Sequence, residues 1–509
     1  MLERVFVLML ENRSFDHMLG ASSISGWDRS QQRVRPINGV MAGRDFNYLD
    51  PSHPASQKVY VRSGASDQLT SGEKDPGHEF EHTLLDLCGP HATYSPHGKY
   101  PAITNSGFVY KYDQQGSIAP QKVMEVFDPT QQPITNLIRL ARNYAVCDHW
   151  FSSMPGPTWP NRFFVHAATS GGLDNSPSSI AVLSSEFLFG YEFTNGTIYD
   201  RLNARNIDWI IYEGDSFPQS FAIKGMTAEW RKGRFRDLAH FEADVGSPRF
   251  KPQYIFIEPN YGRVILPPGD FRGGNSQHPL DSVQSGDHLI GEVFRAISQS
   301  PHWEKSALIL TYDEHGGFFD HVAPEPALAT GDDTRYSKVG FTFEQYGVRV
   351  PTVIVSPLLR QGIVDGTLYD HTSILRTVGK LFNLPPLTAR DEHAHDFLGL
   401  FDLEPRRDEP QTRPDMIRHE ARRMVEDEAS LLPEQVDREL DPHTRGFVHV
   451  ALLRDLALRE EAADQERSLI GSRAQDIRTV GQARDYLEDV DRRVRAFKAE
   501  TQRPGQQDR

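Results

Sequence analysis

The amino-acid sequence lacks several features, and each absence excludes a class of protein. It has only two cysteines, Cys88 and Cys147, in no CxxC or similar spacing, so neither a zinc ribbon nor a disulfide-rich scaffold is indicated, although a single bridge stays open. It has no apolar run close to the roughly 20 residues that a transmembrane helix needs. Positive charge is in deficit, since 55 Lys and Arg against 70 Asp and Glu give a net charge of −15. We therefore expect no nucleic-acid partner and no transmembrane segment.

The first residues also lack the pattern of a secretory signal. The apolar run Val5–Leu10 is short and is followed at once by Glu11, Asn12 and Arg13, whereas a signal peptide has a longer apolar core and a small-residue cleavage site. The simplest expectation is a cytoplasmic enzyme. Secretion is the alternative if the N-terminus is incomplete.

What the 509 residues do contain is an ordinary globular composition, with 38% hydrophobic and 25% charged residues. Strand-like apolar runs alternate with helical patterns, which is typical of a layered α/β fold. The patterns predict strands at Val5–Leu10, Ile207–Tyr212, Tyr254–Ile257, Ala307–Tyr312 and Val350–Ser356, and helices at Pro133–Tyr144 and Asp287–Ser298.

Two regions differ in character from this alternation. Residues 20–130 are rich in Gly, Pro, Ser and Asp, which predicts a loop-rich insertion that roofs the site. After about residue 405, stretches such as 420–432 and 450–470 mix charged residues with Ala and Leu, which predicts charged amphipathic helices before a frayed tail. We therefore predict a catalytic domain over 1–404 and a charged helical extension over 405–509.

Polar side chains follow two of the predicted strands at the point where each strand ends. Glu11 and Asn12 follow one strand, and Asp313 and Glu314 follow another. Side by side, they would form an all-oxygen site suited to a hard divalent cation. The alternative is a pair of strands that end in solvated acids. The glycines at 316–317 favour the cation site, because they let the backbone turn sharply beside a ligand.

A third segment places a hydroxyl near a helix start. Pro160 suits the first turn of a helix predicted over Asn161–Ala168, which puts Thr158 near the helix N-terminus. Free N–H groups and the positive dipole end there favour a phosphate or a developing oxyanion. Thr158 is therefore either a nucleophile or an ordinary helix cap.

Several motifs resemble the bacterial phosphoesterase family, which includes phosphocholine-preferring phospholipases C and related acid phosphatases within the alkaline phosphatase superfamily. They lie at 11–17, 156–162, 278–279, 311–322 and 370–373. The resemblance extends over about residues 1–400, is weak between about 175 and 250, and is absent from the last hundred. It implies a three-layer α/β/α sandwich with a large, mixed and mostly parallel central sheet, like that of alkaline phosphatase.

The resemblance also implies roles for eight residues of this chain. Glu11, Asn12, Asp313 and Glu314 fall on metal ligands, Thr158 falls on the nucleophile, His78 and His278 fall on catalytic histidines around the phosphate, and Asn161 is assigned to substrate binding with them. Outside such a family, each of the two histidines would more often be structural. One divalent metal ion is expected, and oxygen ligands suit Mg²⁺, Mn²⁺ or Ca²⁺, although the superfamily also uses Zn²⁺.

The expected activity is metal-dependent hydrolysis of phosphodiesters, as in a phospholipase C, through a threonyl-phosphate at Thr158. Its substrate would be a small-molecule phosphoester or a phospholipid. An acid phosphatase acting on monoesters is the alternative, although that branch has Ser where this chain has Thr158. A catalytically inactive binding protein is a third interpretation, which predicts the loss of a site residue that this chain retains. The sequence does not indicate an oligomeric state.

Overall fold

The computed structural model describes residues 2–53, 55–70, 73–177, 188–262, 273–332, 335–402, 404–406, 436–459, 470 and 476–501. The helix predicted at 420–432 and nearly all of the predicted tail at 501–509 lie outside these residues. Both cysteines are free thiols, so the single bridge that the sequence left open is not formed. None of the described helices is long and apolar enough to cross a membrane.

Strands β1 to β14 are numbered in chain order. They span Arg4–Leu10, Ser25–Asp28, Arg33–Pro36, Phe46–Tyr48, Lys58–Tyr60, Arg62–Ser63, Glu125–Val126, Ala145–Cys147, Trp209–Glu213, Phe235–Asp237, Tyr254–Glu258, Ser306–Tyr312, Val353–Val355 and Ile363–Asp365. Within the described residues, ten of them form one sheet in the order β10-β9-β11-β1-β12-β13-β8-β14-β2-β3. The sheet is mixed and mostly parallel, with antiparallel pairs at β12–β13, β13–β8 and β2–β3.

The α-helices are numbered α1 to α12 in the same way. They span Phe80–Cys88, Phe108–Gln114, Thr135–Asn143, Thr158–Ala167, Ile198–Ala204, Met226–Arg231, Phe241–Gly246, Val283–Gln299, Thr372–Phe382, Ala389–His393, Pro442–Leu458 and Val480–Thr501. Short 3₁₀ helices lie at Pro120–Met124, Gln132–Ile134, Gln219–Ala222, Leu238–His240, Trp303–Lys305 and Leu398–Leu400, and one π-helical turn lies at Asp16–Gly20.

Strand β1 lies in the centre of the sheet because its apolar run can be buried on both faces. Residues 5–10 are all buried. On one face Phe6 contacts Phe241 of α7 at a ring distance of 6.2 Å. On the other face Phe256, which pairs with Val7 in register, contacts His166 of α4 at 4.6 Å. Helices therefore cover both faces, and the predicted three-layer α/β/α sandwich is confirmed.

The predicted elements and the observed ones agree where the apolar patterns are long. All five predicted strands and both predicted helices are present, with shifted ends. Strand β2 and the edge strand β3 are among the strands that were not predicted, because SGWD and RVRP carry too few apolar residues to show a period. They belong to the main sheet, although they lie within the segment 20–130.

The described helices of the C-terminal segment pack onto the main body. Phe447 of α11 contacts Trp159 at a ring distance of 5.5 Å, and Arg454 of α11 forms a buried ion pair with Glu213 at the end of β9. Lys498 of α12 lies 2.7 Å from the same carboxylate. Whether residues 405–509 form a separate extension stays a prediction.

Candidate active site

The carboxyl ends of β1 and β12 lie next to each other. The two strands pair in parallel, with Leu10 opposite Tyr312, so Glu11 and Asp313 leave the sheet side by side. Both side chains are fully buried. The predicted meeting of the two strand ends is therefore present in the structure.

Asn12 ties the two strand ends together through a strained backbone conformation. Its φ of 57° lies in the left-handed region, which asparagine tolerates better than most residues. Its N–H donates to Asp313 Oδ1 at 3.0 Å. Gly316, with φ 65°, passes so close that a Cβ atom would lie 2.0 Å from the carbonyl oxygen of Asn12. The glycine predicted to allow a sharp turn here is thus required by close packing.

Thr158 faces Asn12 from helix α4. The helix begins at Thr158 itself, three residues before the predicted start, and Pro157 occupies the N-cap position. The Thr158 hydroxyl donates to Asn12 Oδ1 at 3.3 Å, and the N-cap position, held by Pro157, has no side-chain capping bond. The arrangement therefore does not match the helix-cap interpretation of Thr158.

Asn161 lies in the first turn of the same helix and contacts the loop before it. Its amide nitrogen donates to the carbonyl oxygens of Met154, Gly156 and Pro157 at 3.0 to 3.2 Å, and its amide oxygen accepts from the Met154 N–H at 3.1 Å. These bonds fix the loop that carries Thr158. The substrate contact predicted for Asn161 stays a prediction.

Arg162 is a site residue that the sequence interpretation missed. Its Nε donates to Asp313 Oδ2 at 3.0 Å, and its Nη2 lies 3.8 Å from Glu11 Oε1. The Nη2 also donates to the carbonyl oxygens of Met9 and Leu10 at the end of β1. One buried cation therefore lies between two buried carboxylates. Its place in the Thr158 motif was the only available signal.

The carboxylates retain more negative charge than Arg162 can balance. Burial raises the pKa of Glu11 well above its ordinary value, and the nearby charges of Asp313 and Glu314 raise it further. Burial, with the Asp313 charge, raises the pKa of Glu314 to about 7. Glu11 Oε2 and Glu314 Oε1 are buried and have no hydrogen-bond partner. Carboxylate oxygens left in this state fit a divalent cation.

The two predicted histidines lie next to this cluster. The Nδ1–H of His78 donates to the Pro76 carbonyl oxygen at 3.0 Å, which leaves Nε2 as the acceptor nitrogen of the ring. Nε2 then accepts a hydrogen bond from the Asn12 amide nitrogen at 3.2 Å. The His278 ring lies 6.1 Å from the His78 ring, and its Nε2 lies 3.5 Å from Asp75 Oδ2. Burial lowers the pKa of both histidines well below the ordinary value, so both rest neutral.

Two groups of three side chains among the described residues have ligand atoms within 4.8 Å of one another, which a metal site requires. One is Asp75, His78 and His278, and the other is Asp16, Asp320 and His321. The four predicted ligands at 11, 12, 313 and 314 form neither group. Asp75 precedes His78 by three residues, a local spacing that could have indicated it.

A third histidine, His443, reaches the same place from helix α11. Its ring lies 6.3 Å from His278 and 6.2 Å from Trp159. Nothing in the sequence pointed to it, because it lies beyond the motifs and its position depends on how α11 packs.

The chain is similar in sequence to proteins of one known family. A family model described as the phosphoesterase family matches residues 2–385. Non-specific phospholipase C1 of Arabidopsis thaliana is 33% identical over 434 residues, which is 82% of this chain and 74% of the relative. Non-specific phospholipase C6 of the same plant is 34% identical over 450 residues, which is 84% of this chain and 78% of the relative. A solved protein of the alkaline phosphatase superfamily from Vibrio parahaemolyticus is 14% identical, with a TM-score of 0.28 over 50% of this chain and 61% of that one.

Proposed function

The chain belongs to the phosphoesterase family and is a hydrolase of phosphoric esters, and we propose that it cleaves phosphodiesters through a phosphorylated Thr158 with the help of a divalent cation. The observation that carries the proposal is the contact between the Thr158 hydroxyl and Asn12 Oδ1 at 3.3 Å, beside buried carboxylates. Thr158 is the first residue of α4, and its hydroxyl is directed to Asn12 at the end of β1.

The cation would be held by Glu11, Asn12, Asp313 and Glu314. Support comes from the two unpartnered oxygens of Glu11 and Glu314 and from the raised pKa of both groups. When bound, it would supply positive charge that lowers the pKa of the Thr158 hydroxyl and offsets the charge of the phosphate. Its identity stays open among Mg²⁺, Mn²⁺, Ca²⁺ and Zn²⁺.

The first chemical step forms a bond between Thr158 Oγ1 and phosphorus and breaks the bond from phosphorus to the leaving oxygen. Thr158 is pre-positioned for this attack, because its side chain is buried and held by Asn12. The N-terminal turn of α4 favours the negative charge that develops on the phosphoryl oxygens. In the second step water attacks phosphorus and Thr158 Oγ1 leaves.

Two neutral histidines handle the protons of these steps. The Asn12 amide joins His78 to Thr158, since its nitrogen donates to His78 Nε2 and its oxygen accepts from the Thr158 hydroxyl. His78 would take the Thr158 proton and pass it to the leaving oxygen. In the second step it takes a proton from water and returns it to Thr158. A resting neutral imidazole suits this shuttle, and His278 donates to a phosphoryl oxygen.

The substrate class follows from the relatives. Both relatives are named non-specific phospholipases C, so a phospholipid diester is the substrate that we propose for this chain. The runner-up is a phosphomonoester. A panel of one monoester, one soluble phosphocholine diester and one phospholipid, assayed with and without chelator, separates the two.

The decisive experiment replaces Thr158. Thr158→Ala should lower turnover by about three orders of magnitude or more, while Thr158→Ser should keep substantial activity because the hydroxyl remains. Rapid quench with labelled substrate should trap phosphate on the peptide that contains Thr158.

The matched control is Thr135→Ala. Thr135 is likewise the first residue of a helix, α3, and bonds only to the preceding backbone. Thr135→Ala should lower the free energy of unfolding by at most about 1 kcal/mol and leave turnover intact. Near-normal turnover in Thr158→Ala would refute the covalent mechanism and favour direct attack by water.

A further inference from the structure

Helix α11 begins beside the active site, and its start is fixed by local chemistry. Asp441 is the N-cap and accepts the Thr444 N–H at 2.9 Å, and Pro442 follows at the first helical position. An aspartate at the N-cap and a proline at the first helical position both stabilise the start of a helix. His443 therefore has a defined place in the first turn.

The same turn lies directly on the residue after the proposed nucleophile. Residues 443, 446 and 447 share one face of α11, because positions three and four apart are neighbours on a helix. A Cβ atom on Gly446 would lie 2.2 Å from the Trp159 indole, so the helix backbone touches that ring. Phe447 contacts Trp159 at 5.5 Å and His443 at 5.4 Å. This packing brings His443 to the site.

His443 faces site residues as well as its own helix. Its ring lies 6.3 Å from His278, which in turn lies 6.1 Å from His78. The charged groups that act on His443 are Asp441 from its own helix start, Asp313 from the end of β12 and Arg162 from α4. His443 is 9% exposed. A buried imidazole among these groups has the surroundings of a site residue.

We propose that His443 contacts the phosphoryl group of the bound ester, so that the first turn of α11, beyond the family match at 2–385, completes the active site. The inference rests on the proposed function, because it places the ester beside Thr158 and His278. His443 would donate a ring N–H to a phosphoryl oxygen, next to the donor from His278. The C-terminal segment then supplies part of the binding site for the reaction.

The test measures binding of inorganic phosphate, as a competitive inhibitor, and turnover of a soluble diester. His443→Leu, in the full-length protein, should raise the inhibition constant for phosphate and lower kcat/KM by about 10- to 100-fold, since it removes a hydrogen bond to a charged group. Asn places a polar atom near Nδ1 and Gln places one near Nε2, so either His443→Asn or His443→Gln should restore part of the loss. A purely structural role predicts no such rescue.

The matched control is His449→Leu on the same helix. His449 is also buried, at 4% exposure, and its ring packs on Tyr191 at 5.6 Å instead of on the site. His449→Leu should keep kcat/KM and the inhibition constant for phosphate within about twofold of the wild-type values.

The inference is overturned if His443→Leu also keeps both values within twofold. If His443→Leu does not fold, the Asn and Gln variants decide: a loss in one of them supports the contact, and wild-type values in both overturn it. Thr158→Ala measured alongside separates the two proposals. An active Thr158→Ala defeats the covalent mechanism, whereas an inactive one beside a normal His443→Leu defeats only the contact of His443.

Discussion

The segments 11–17 and 311–322 meet at two places, and the two meetings differ in charge. At the first, which we call the strand-end cluster, Glu11 meets Asp313 and Glu314 beside Arg162. At the second, which we call the closed cluster, Asp16 meets Asp320 and His321 beside Arg349. Each cluster is thus built from the same two segments and contains one buried arginine.

In the closed cluster every carboxylate oxygen has a partner. Arg349 donates to Asp320 Oδ1 at 2.9 Å and to Asp16 Oδ1 at 3.1 Å. Asp16 Oδ2 accepts from the N–H and the ring of His321, and Asp320 Oδ2 accepts from the Asp16 N–H. Burial alone would lower the pKa of His321, but its bond to Asp16 outweighs burial and raises it. Two carboxylates therefore face Arg349 and a histidine whose pKa is raised toward the charged form.

The strand-end cluster lacks this balance. Glu11 and Asp313 share Arg162, which also donates to backbone carbonyls, whereas Glu314 lies 3.2 Å from His315 Nδ1. One oxygen of Glu11 and one of Glu314 have no hydrogen-bond partner. The comparison teaches that proximity of acids and a histidine does not identify a metal site. The closed cluster meets the distance criterion, yet Arg349 already occupies the place of a cation. Unbalanced buried charge is the better indicator.

The largest expected difference concerns turnover. Glu11→Gln removes a charge from the strand-end cluster without changing shape, so turnover should fall by about 10³-fold or more and the metal content should fall. Asp16→Asn makes the same change in the closed cluster and should keep metal content and turnover within about tenfold. Steady-state kinetics and elemental analysis of the purified variants measure both. Full metal content in Glu11→Gln would move the cation site elsewhere, most simply to Asp75, His78 and His278.

The second difference concerns stability. Arg349→Met should lower the free energy of unfolding by about 3–5 kcal/mol, because it leaves buried carboxylates without their cation. Arg162→Met should also destabilise the protein, but added Mg²⁺ or Mn²⁺ should recover much of the loss, since a metal ion binds only the folded cluster. Thermal unfolding with and without the ion measures this. Equal recovery in both variants would contradict the distinction between the clusters.

The third difference concerns pH in metal-free protein. The pKa of Glu314 is about 7 in the fold against 4.5 for the ordinary group, so the folded state holds its proton more tightly. The contribution of Glu314 to the free energy of unfolding is therefore complete below about pH 4.5. It is lost as the pH rises through about 7, which lowers the free energy of unfolding by on the order of 3 kcal/mol. Glu314→Gln should abolish this loss, and bound metal should reverse it. Urea unfolding at pH 5 and pH 8 tests the slope, and identical slopes in both proteins would rule out Glu314 as its source.

The fold was predictable from sequence where a pattern is local. The apolar run of β1 and the polar residues after it gave both the central strand and its acidic end. Strand β2 and the edge strand β3 were missed because SGWD and RVRP carry too few apolar residues to show a pattern in the sequence. The site was predictable only in part, for a different reason. Arg162 contacts Asp313, which lies 151 residues away, and His443 is placed by packing on Trp159. Contacts of this kind depend on the tertiary fold, which local patterns do not encode.

The smallest expected effect tests the closed cluster at its exposed end. His321 is 22% exposed at its side chain and bonds to Asp16 at 2.7 Å. Because the folded pKa of His321 is raised, its stabilisation is complete below the unfolded value of about 6.5 and is lost as the pH rises through the folded pKa. His321→Gln should therefore cost about 1 kcal/mol at pH 6 and almost nothing at pH 9, because Asp16 keeps Arg349 and a backbone N–H as partners. Turnover should stay within about twofold, since no carboxylate of the strand-end cluster changes.

Urea unfolding of wild type and variant at the two pH values measures the difference. A cost that grows with pH would mean that His321 acts as a neutral donor and that the closed cluster is not balanced by charge.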